Sequence, residues 1–156
     1  MSYTIVDLLK KLEAIEENAF SMYKELASLE EGYDIKLRTV ARILASEEER
    51  HIALYRKLIG QAEKEPETTI DFSIYDKASS LVESFKKRIV KPQVKSVKEL
   101  VQFSVEFERE NVALLIDIRG RMVRKEEDSV TFNYLTLTEL IMEEQKHVET
   151  LNVFLT

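Results

Sequence analysis

Residues 48–51 read Glu-Glu-Arg-His and residues 144–147 read Glu-Gln-Lys-His, so each of the 2 histidines follows a glutamate by three positions. Residues i and i+3 of an α-helix are neighbours on one face, with Cβ atoms about 5–6 Å apart. A Glu and a His at this spacing can bind one metal ion or flank a pair of ions. This repeated Glu-x-x-His motif is therefore the starting point for predicting both fold and function.

Both motifs lie among apolar residues that recur at helical spacing. The apolar neighbours are Leu44, Leu54, Tyr55 and Leu58 around the first motif, and Leu137, Leu140, Ile141 and Leu151 around the second. An ionised glutamate on an apolar face is destabilising by several kcal/mol unless something compensates its charge. A metal ion would do so directly, whereas the alternative is a pair of ordinary core histidines. The repetition of the glutamate favours the metal site.

Four long segments have apolar residues every three to four positions, which predicts four long helices. These segments span residues 4–29, 34–59, 96–121 and 129–154. Thr4 with Asp7, and Ser96 with Glu99, have the spacing of a capping box at a helix start. Gly32 and Gly60 are predicted to end the first and second helices.

The helical pattern is interrupted over residues 61–95, which contain both Pro66 and Pro92. Within this crossover, residues 76–90 have room for a short amphipathic helix, and residues 125–128 are predicted to form a charged loop. Short loops within each helix pair and a long connection between the pairs favour an all-α four-helix bundle with one crossover.

Composition supports one helical domain over residues 1–156. The chain has 3 Gly and 2 Pro, fewer than the turns of a sheet protein require. With 0 Cys it has no disulfide, cysteine nucleophile or cysteine-ligated metal site. Chemistry must therefore come from carboxylates, tyrosines, hydroxyls and the two histidines.

Charge and hydropathy limit the expected partners. The net charge of −6 makes nucleic acid and anionic membrane surfaces unfavourable partners. No apolar run approaches the roughly 20 residues of a membrane span, and no secretory signal is recognisable. We therefore expect a cytoplasmic protein that binds neither nucleic acid nor membrane.

The other two predicted long helices each offer a glutamate for the same site. Glu16 lies on the apolar stripe of the first helix, whereas Glu17 lies on its polar side. On the helix over residues 96–121, Glu108 shares a face with apolar residues and Glu106 with polar ones. Glu110 lies near aromatic residues and remains an alternative to Glu108.

Together these residues give four carboxylates and two imidazoles, which balance the charge of two divalent ions. The candidate metal ligands and catalytic residues are Glu16, Glu48, His51, Glu108, Glu144 and His147. One Glu from each of two helices plus a Glu-x-x-His from each of the other two is the di-iron carboxylate pattern. The donors suit iron or manganese. Equivalent positions lie 92 and 96 residues apart, which indicates a duplicated helix pair.

On these motifs the chain resembles the ferritin-like superfamily, and within it the rubrerythrin-like di-iron proteins. Tyr23 follows Glu16 by seven residues, as in the first helix of that family, and Tyr55 follows Glu48 by the same interval. Both tyrosines are candidates to contact the ligands or relay electrons, and ordinary core tyrosines are the alternative.

The resemblance implies an oxidoreductase that uses two iron ions, or manganese or a mixed pair, to reduce hydrogen peroxide or dioxygen. A ferroxidase or iron-handling protein without turnover is the alternative, and a purely structural helical bundle is the third possibility.

Two features depart from rubrerythrin. Asn111 stands where that family has an additional glutamate, which argues against its redox-linked ligand switch and leaves Asn111 as a candidate neighbour of the ligands. Without cysteine there is no rubredoxin site, so the electron donor must be a separate protein or a small reductant. We further expect a homodimer and not a 24-subunit shell.

Overall fold

The computed structural model describes residues 2–29 and 34–155, and helices dominate both ranges. Its α-helices are α1 Ile5–Ala27, α2 Ile35–Ala62, α3 Phe72–Lys87, α4 Val97–Arg121 and α5 Phe132–Asn152. The remaining elements are the strands β1 Tyr3–Thr4 and β2 Thr69–Ile70 and the 3₁₀ helices Glu126–Val130 and Val153–Leu155. The predicted all-α class is confirmed.

Side chains at the predicted positions cap the starts of α1 and α4. The carboxylate of Asp7 accepts a hydrogen bond from the backbone N–H of Thr4 at 2.8 Å. The Ser96 hydroxyl accepts one from the backbone N–H of Glu99 at 3.1 Å. The Glu99 carboxylate accepts a hydrogen bond from the backbone N–H of Lys95 at 2.8 Å. A complete capping box would use the backbone N–H of the next residue, Ser96. These caps satisfy N–H groups that have no partner within the helix.

The prediction that Gly60 ends the second helix is wrong, because α2 continues to Ala62. Ala62 is buried in the core, so two further helical residues gain packing that outweighs the weak helix propensity of glycine. The corresponding prediction for Gly32 lies outside the described residues.

The segment before α5 also differs from the prediction. The charged loop expected over residues 125–128 lies mostly in the 3₁₀ helix Glu126–Val130. The α-helix therefore begins at Phe132 and not at residue 129. Its cap is Thr131, whose hydroxyl accepts a hydrogen bond from the backbone N–H of Tyr134 at 3.2 Å.

The crossover contains one helix and one strand. Helix α3 begins four residues before the predicted start at residue 76 and ends three before the predicted end at residue 90. It packs against α1 and α4. Strand β2 pairs antiparallel with β1, with Tyr3 opposite Ile70 and Thr4 opposite Thr69. These contacts fasten the crossover to the start of α1.

Helix α1 packs along α2, and α4 packs along α5, so each pair is close in sequence and in space. Helix α2 also contacts α4, and all five helices contribute to the same hydrophobic cluster. Within the described ranges, none of the helices has both the length and the apolar character needed to cross a bilayer. The packing of the four long helices creates the setting of the polar site.

Candidate metal centre

Six polar side chains meet inside this hydrophobic core, one or two from each long helix. They are Glu16 of α1, Glu48 and His51 of α2, Glu108 of α4, and Glu144 and His147 of α5. None is more than 6% exposed. The structure therefore brings together all six residues that were predicted as metal ligands.

On α1 and α4, the ligand glutamate lies on the same helix face as the buried apolar residues. On α1, Glu16 follows the buried Leu12 by four positions and precedes the buried Ala19 by three. On α4, Glu108 precedes the buried Leu115 by seven positions, two helical turns later on the same face. Packing of the apolar neighbours thus forces a carboxylate into the interior.

The glutamates beside these ligands lie at the surface. Glu17 approaches Arg56 at 3.9 Å, and Glu106 is exposed. Glu110, the alternative to Glu108, has a side chain that is 59% exposed and lies 3.7 Å from Arg88. The structure therefore places Glu108 and not Glu110 in the buried site.

His51 lies at the centre of the cluster and approaches three carboxylates. Its Nδ1 atom is 3.7 Å from Oε2 of Glu16, 3.6 Å from Oε2 of Glu48 and 3.4 Å from Oε1 of Glu144. All three distances exceed the usual 2.7–3.2 Å of an N–H···O hydrogen bond. Space thus remains between the imidazole and the carboxylates that surround it.

His147 occupies the equivalent place on α5. Its Nδ1 atom is 3.5 Å from Oε1 of Glu108. The rings of His51 and His147 meet edge to face, with centroids 4.9 Å apart and an interplanar angle of 81°. The two imidazoles are therefore in contact within one site.

The donor atoms form two overlapping groups in which the atoms lie within 4.8 Å of one another. The first group is Glu48, His51, Glu108 and His147, and the second is Glu16, His51 and Glu144. Atoms at this mutual separation can converge on a cation between them. If His51 serves the second group, the first keeps Glu48, Glu108 and His147, so the two groups can hold a close pair of ions.

Most of these donor atoms are buried without a hydrogen-bond partner. Of the twelve such side-chain atoms in the part of the chain that the structure describes, nine belong to the six residues. They are Oε2 of Glu16, both carboxylate oxygens of Glu48 and Glu108, Nδ1 of His51, Oε2 of Glu144, and Nδ1 and Nε2 of His147. Each such atom is destabilising by about 1–3 kcal/mol, and more if charged. A bound cation is the partner that fits this donor set.

Burial raises the pKa of Glu48, Glu108 and Glu144 well above the usual value. Like charges add to this effect: Glu16 raises the pKa of Glu48, Glu48 raises that of Glu108, and Glu108 raises that of Glu144. Without a cation, these carboxyl groups hold protons at pH values where an exposed glutamate is ionised. A cation would take the place of those protons.

The other three groups titrate differently. Burial alone would raise the pKa of Glu16, but contacts with Glu48 and His51 lower it to about 2. Burial alone would lower the pKa of His51, but Glu16 and Glu144 raise it to about 10. Burial and the nearby His51 lower the pKa of His147 to about 4. The metal-free site thus favours an ion pair between Glu16 and His51.

Two buried tyrosines flank the cluster. The hydroxyl of Tyr23 lies 2.7 Å from Oγ of Ser104, and both side chains are buried. Burial raises the pKa of Tyr23 and of Tyr55 well above 10, and the charges of nearby carboxylates add to this effect. Both side chains therefore remain protonated phenols. Their roles near the ligands stay predictions. Ser104 was missed, although it precedes Glu108 by four positions and therefore shares its face.

Asn111 contacts the cluster directly. It lies on α4 one turn after Glu108, and its Nδ2 donates a hydrogen bond to Oε1 of Glu16 at 3.3 Å. The sequence placed Asn111 near the ligands but did not indicate which of them it would contact.

A scan against protein-family models, a search of curated proteins and a search of solved structures each found no match. The resemblance to ferritin-like proteins therefore stays a prediction. What supports it is the set of six buried residues, their spacing along four helices, and their unpartnered donor atoms.

Proposed function

We propose that this chain is a ferritin-like di-iron protein in which α1, α2, α4 and α5 form a four-helix bundle and α3 lies on the crossover. Two iron ions would be held by the six buried glutamates and histidines. The observation that carries this proposal is the concentration of buried, unpartnered carboxylate and imidazole atoms at one place in the core. Such a cluster is strongly destabilising without a cation.

The donor chemistry favours iron or manganese over other metals. The site has carboxylates and imidazoles and the chain has 0 Cys, so thiolate-preferring ions have no ligand. Four ionised carboxylates and two neutral imidazoles neutralise two divalent cations. A single cation would leave excess negative charge inside an apolar core, which favours two ions.

We further propose that the site reduces hydrogen peroxide or dioxygen. Two ferrous ions, when bound, would supply the two electrons that reduce one peroxide molecule, with two protons, to two water molecules. The surrounding core keeps bulk water from the buried ligands. Burial and the charges of nearby carboxylates keep the phenol of Tyr23 protonated, and its oxygen lies 2.7 Å from Oγ of Ser104. We propose that a separate protein or a small reductant supplies the electrons, because these 156 residues have 0 Cys with which to hold a rubredoxin-type centre.

Ferrous-ion titration under anaerobic conditions tests metal binding. Wild-type protein is expected to bind two ions per chain. Glu108→Gln is expected to lose at least one of them, because a neutral amide replaces the carboxylate ligand. The matched control is Glu110→Gln on the same helix, whose side chain lies at the surface. Absence of iron binding by the wild type, or equal loss in both variants, would contradict the proposal.

Turnover separates an oxidoreductase from an iron-handling protein with the same site. With excess ascorbate as reductant, peroxide consumption should continue well beyond one equivalent per di-iron site. If consumption stops at one equivalent while both irons remain bound, the iron-handling alternative is correct.

A further inference from the structure

Asn111 is buried as completely as the metal ligands. It is 1% exposed, its Nδ2 donates to Oε1 of Glu16, and its Oδ1 has no hydrogen-bond partner among the described residues. An unpartnered buried amide oxygen destabilises the fold, and an apolar side chain of similar volume would avoid this effect. The amide is therefore expected to have a role other than packing.

The hydrogen bond determines which end of the amide faces the ligands. A carboxylate oxygen can only accept, so the N–H end of Asn111 must face Glu16. This bond joins α4 to α1 across the site, between residues 95 positions apart in the chain. It therefore holds the Glu16 carboxylate from the opposite helix.

The restraint acts on one of the two donor groups. Glu16 belongs to the group with His51 and Glu144, and not to the group that contains Glu108. With Oε1 held by Asn111, the other oxygen of Glu16 lies 3.7 Å from Nδ1 of His51. Asn111 thus selects the carboxylate oxygen that faces this donor group.

We propose that Asn111 is a positioning residue for the metal ion held by Glu16, His51 and Glu144, and that it acts by orienting Glu16. This inference rests on the proposed metal site. It makes the two metal positions unequal: one depends on Asn111, whereas the other, at Glu48, Glu108 and His147, does not.

The test uses variants that remove the N–H donor and a control that removes an equivalent amide elsewhere. Asn111→Leu and the smaller Asn111→Ala both lack the donor. Asn133→Leu is the control: Asn133 is 9% exposed, donates to the backbone oxygen of Thr68 at 3.2 Å, and has an unpartnered Oδ1. It lies on α5 eleven positions before Glu144, about 16 Å along the helix.

Each metal-free protein is titrated with Co²⁺ in the presence of a competing chelator. Visible absorption of the bound Co²⁺ measures the binding. Loss of a residue that orients a metal ligand typically weakens metal binding about 10–100-fold. Asn111→Leu and Asn111→Ala should therefore lose one of two Co²⁺ equivalents at a chelator concentration that leaves wild type fully loaded. The absorption of the retained Co²⁺ should match one component of the wild-type spectrum. Asn133→Leu should retain both equivalents.

The possible outcomes separate the two proposals. If wild type binds two Co²⁺ ions and the Asn111 variants bind both with unchanged affinity, the role of Asn111 is wrong and the metal site stands. If Asn133→Leu loses the same equivalent, the effect comes from general destabilisation and the inference is also wrong. If wild type binds no Co²⁺, both proposals fail.

Discussion

Glu48 shows how one residue can oppose the stability of the fold that contains it. Its carboxylate is buried among other carboxylates, and both of its oxygens lack a hydrogen-bond partner. Burial and the charge of Glu16 raise its pKa, so ionisation in the metal-free protein is unfavourable. Because this side chain weakens the metal-free fold, we expect it to serve binding and not packing.

Replacement of Glu48 by its neutral isostere should therefore separate stability from binding. We expect metal-free Glu48→Gln to be more stable than metal-free wild type at pH 8, by about 1–3 kcal/mol, because one buried carboxyl group no longer has to ionise or hold a proton. Urea denaturation measures the difference.

Glu110→Gln is the control for this prediction and should lie within about 0.5 kcal/mol of wild type, because its side chain is at the surface. A metal-free Glu48→Gln protein that is less stable than wild type at pH 8 would show that the carboxylate stabilises the core by itself.

At the scale of elements, the long helices could be predicted well because each has a broad apolar stripe and a cap. The phase of that stripe also predicted which glutamates point inward, as with Glu16 against Glu17. The start of α3 could not be predicted, because residues 72–75 read Phe-Ser-Ile-Tyr and have weak helix propensity. There, tertiary contacts decide: the ring of Tyr75 stacks on that of Tyr3 with centroids 4.0 Å apart.

The end of α2 provides a test at this scale. Gly60 lies within the helix, and a Cβ atom added there meets no atom within 4 Å. Gly60→Ala should therefore raise the free energy of unfolding by about 0.4–1 kcal/mol, because alanine restricts the unfolded chain without strain. Chemical denaturation measures the change.

Ala53→Gly, at an exposed position on the same helix, is the reverse control and should lower stability by about 1 kcal/mol. If Gly60→Ala instead destabilises the protein, α2 ends at Gly60, as the sequence pattern predicts.

At the scale of the whole molecule, two helix pairs converge on one buried set of charges. Helix α1 pairs with α2 and α4 pairs with α5. The duplication indicated by the sequence stays a prediction. The pairing of β1 with β2 could not be predicted, because two-residue strands show no alternating pattern. The contact of Asn111 with Glu16 could not be predicted either, because it depends on how two helices distant in the sequence meet.

The buried charges predict opposite pH responses for the metal-free and metal-loaded protein. In the metal-free fold, the pKa values of Glu48, Glu108, Glu144 and His51 are raised. At a pH above their unfolded-state pKa values, these groups therefore still hold protons in the folded protein that they have lost in the unfolded chain. Their contribution to stability is present at low pH and is lost as the pH rises. Glu16 and His147, with lowered pKa values, act in the opposite sense but are fewer.

The melting temperature of the metal-free protein should therefore increase between about pH 8 and about pH 5. That of the iron-loaded protein should decrease over the same range, because protons compete with metal for the ligands. Differential scanning calorimetry of both forms in matched buffers checks this. Parallel responses of the two forms would indicate that the buried carboxylates do not bind the metal.

The central claim, a pair of iron ions among six residues on four helices, is tested most directly by crystallography of the iron-loaded protein with anomalous scattering at the iron edge. The proposed site predicts two peaks about 3.5–4 Å apart, the spacing typical of two-metal sites. Both peaks should lie between the carboxylates of Glu16, Glu48, Glu108 and Glu144, with His51 and His147 as nitrogen ligands. An iron-loaded crystal with no peak among these side chains, or with iron at the surface, would contradict it.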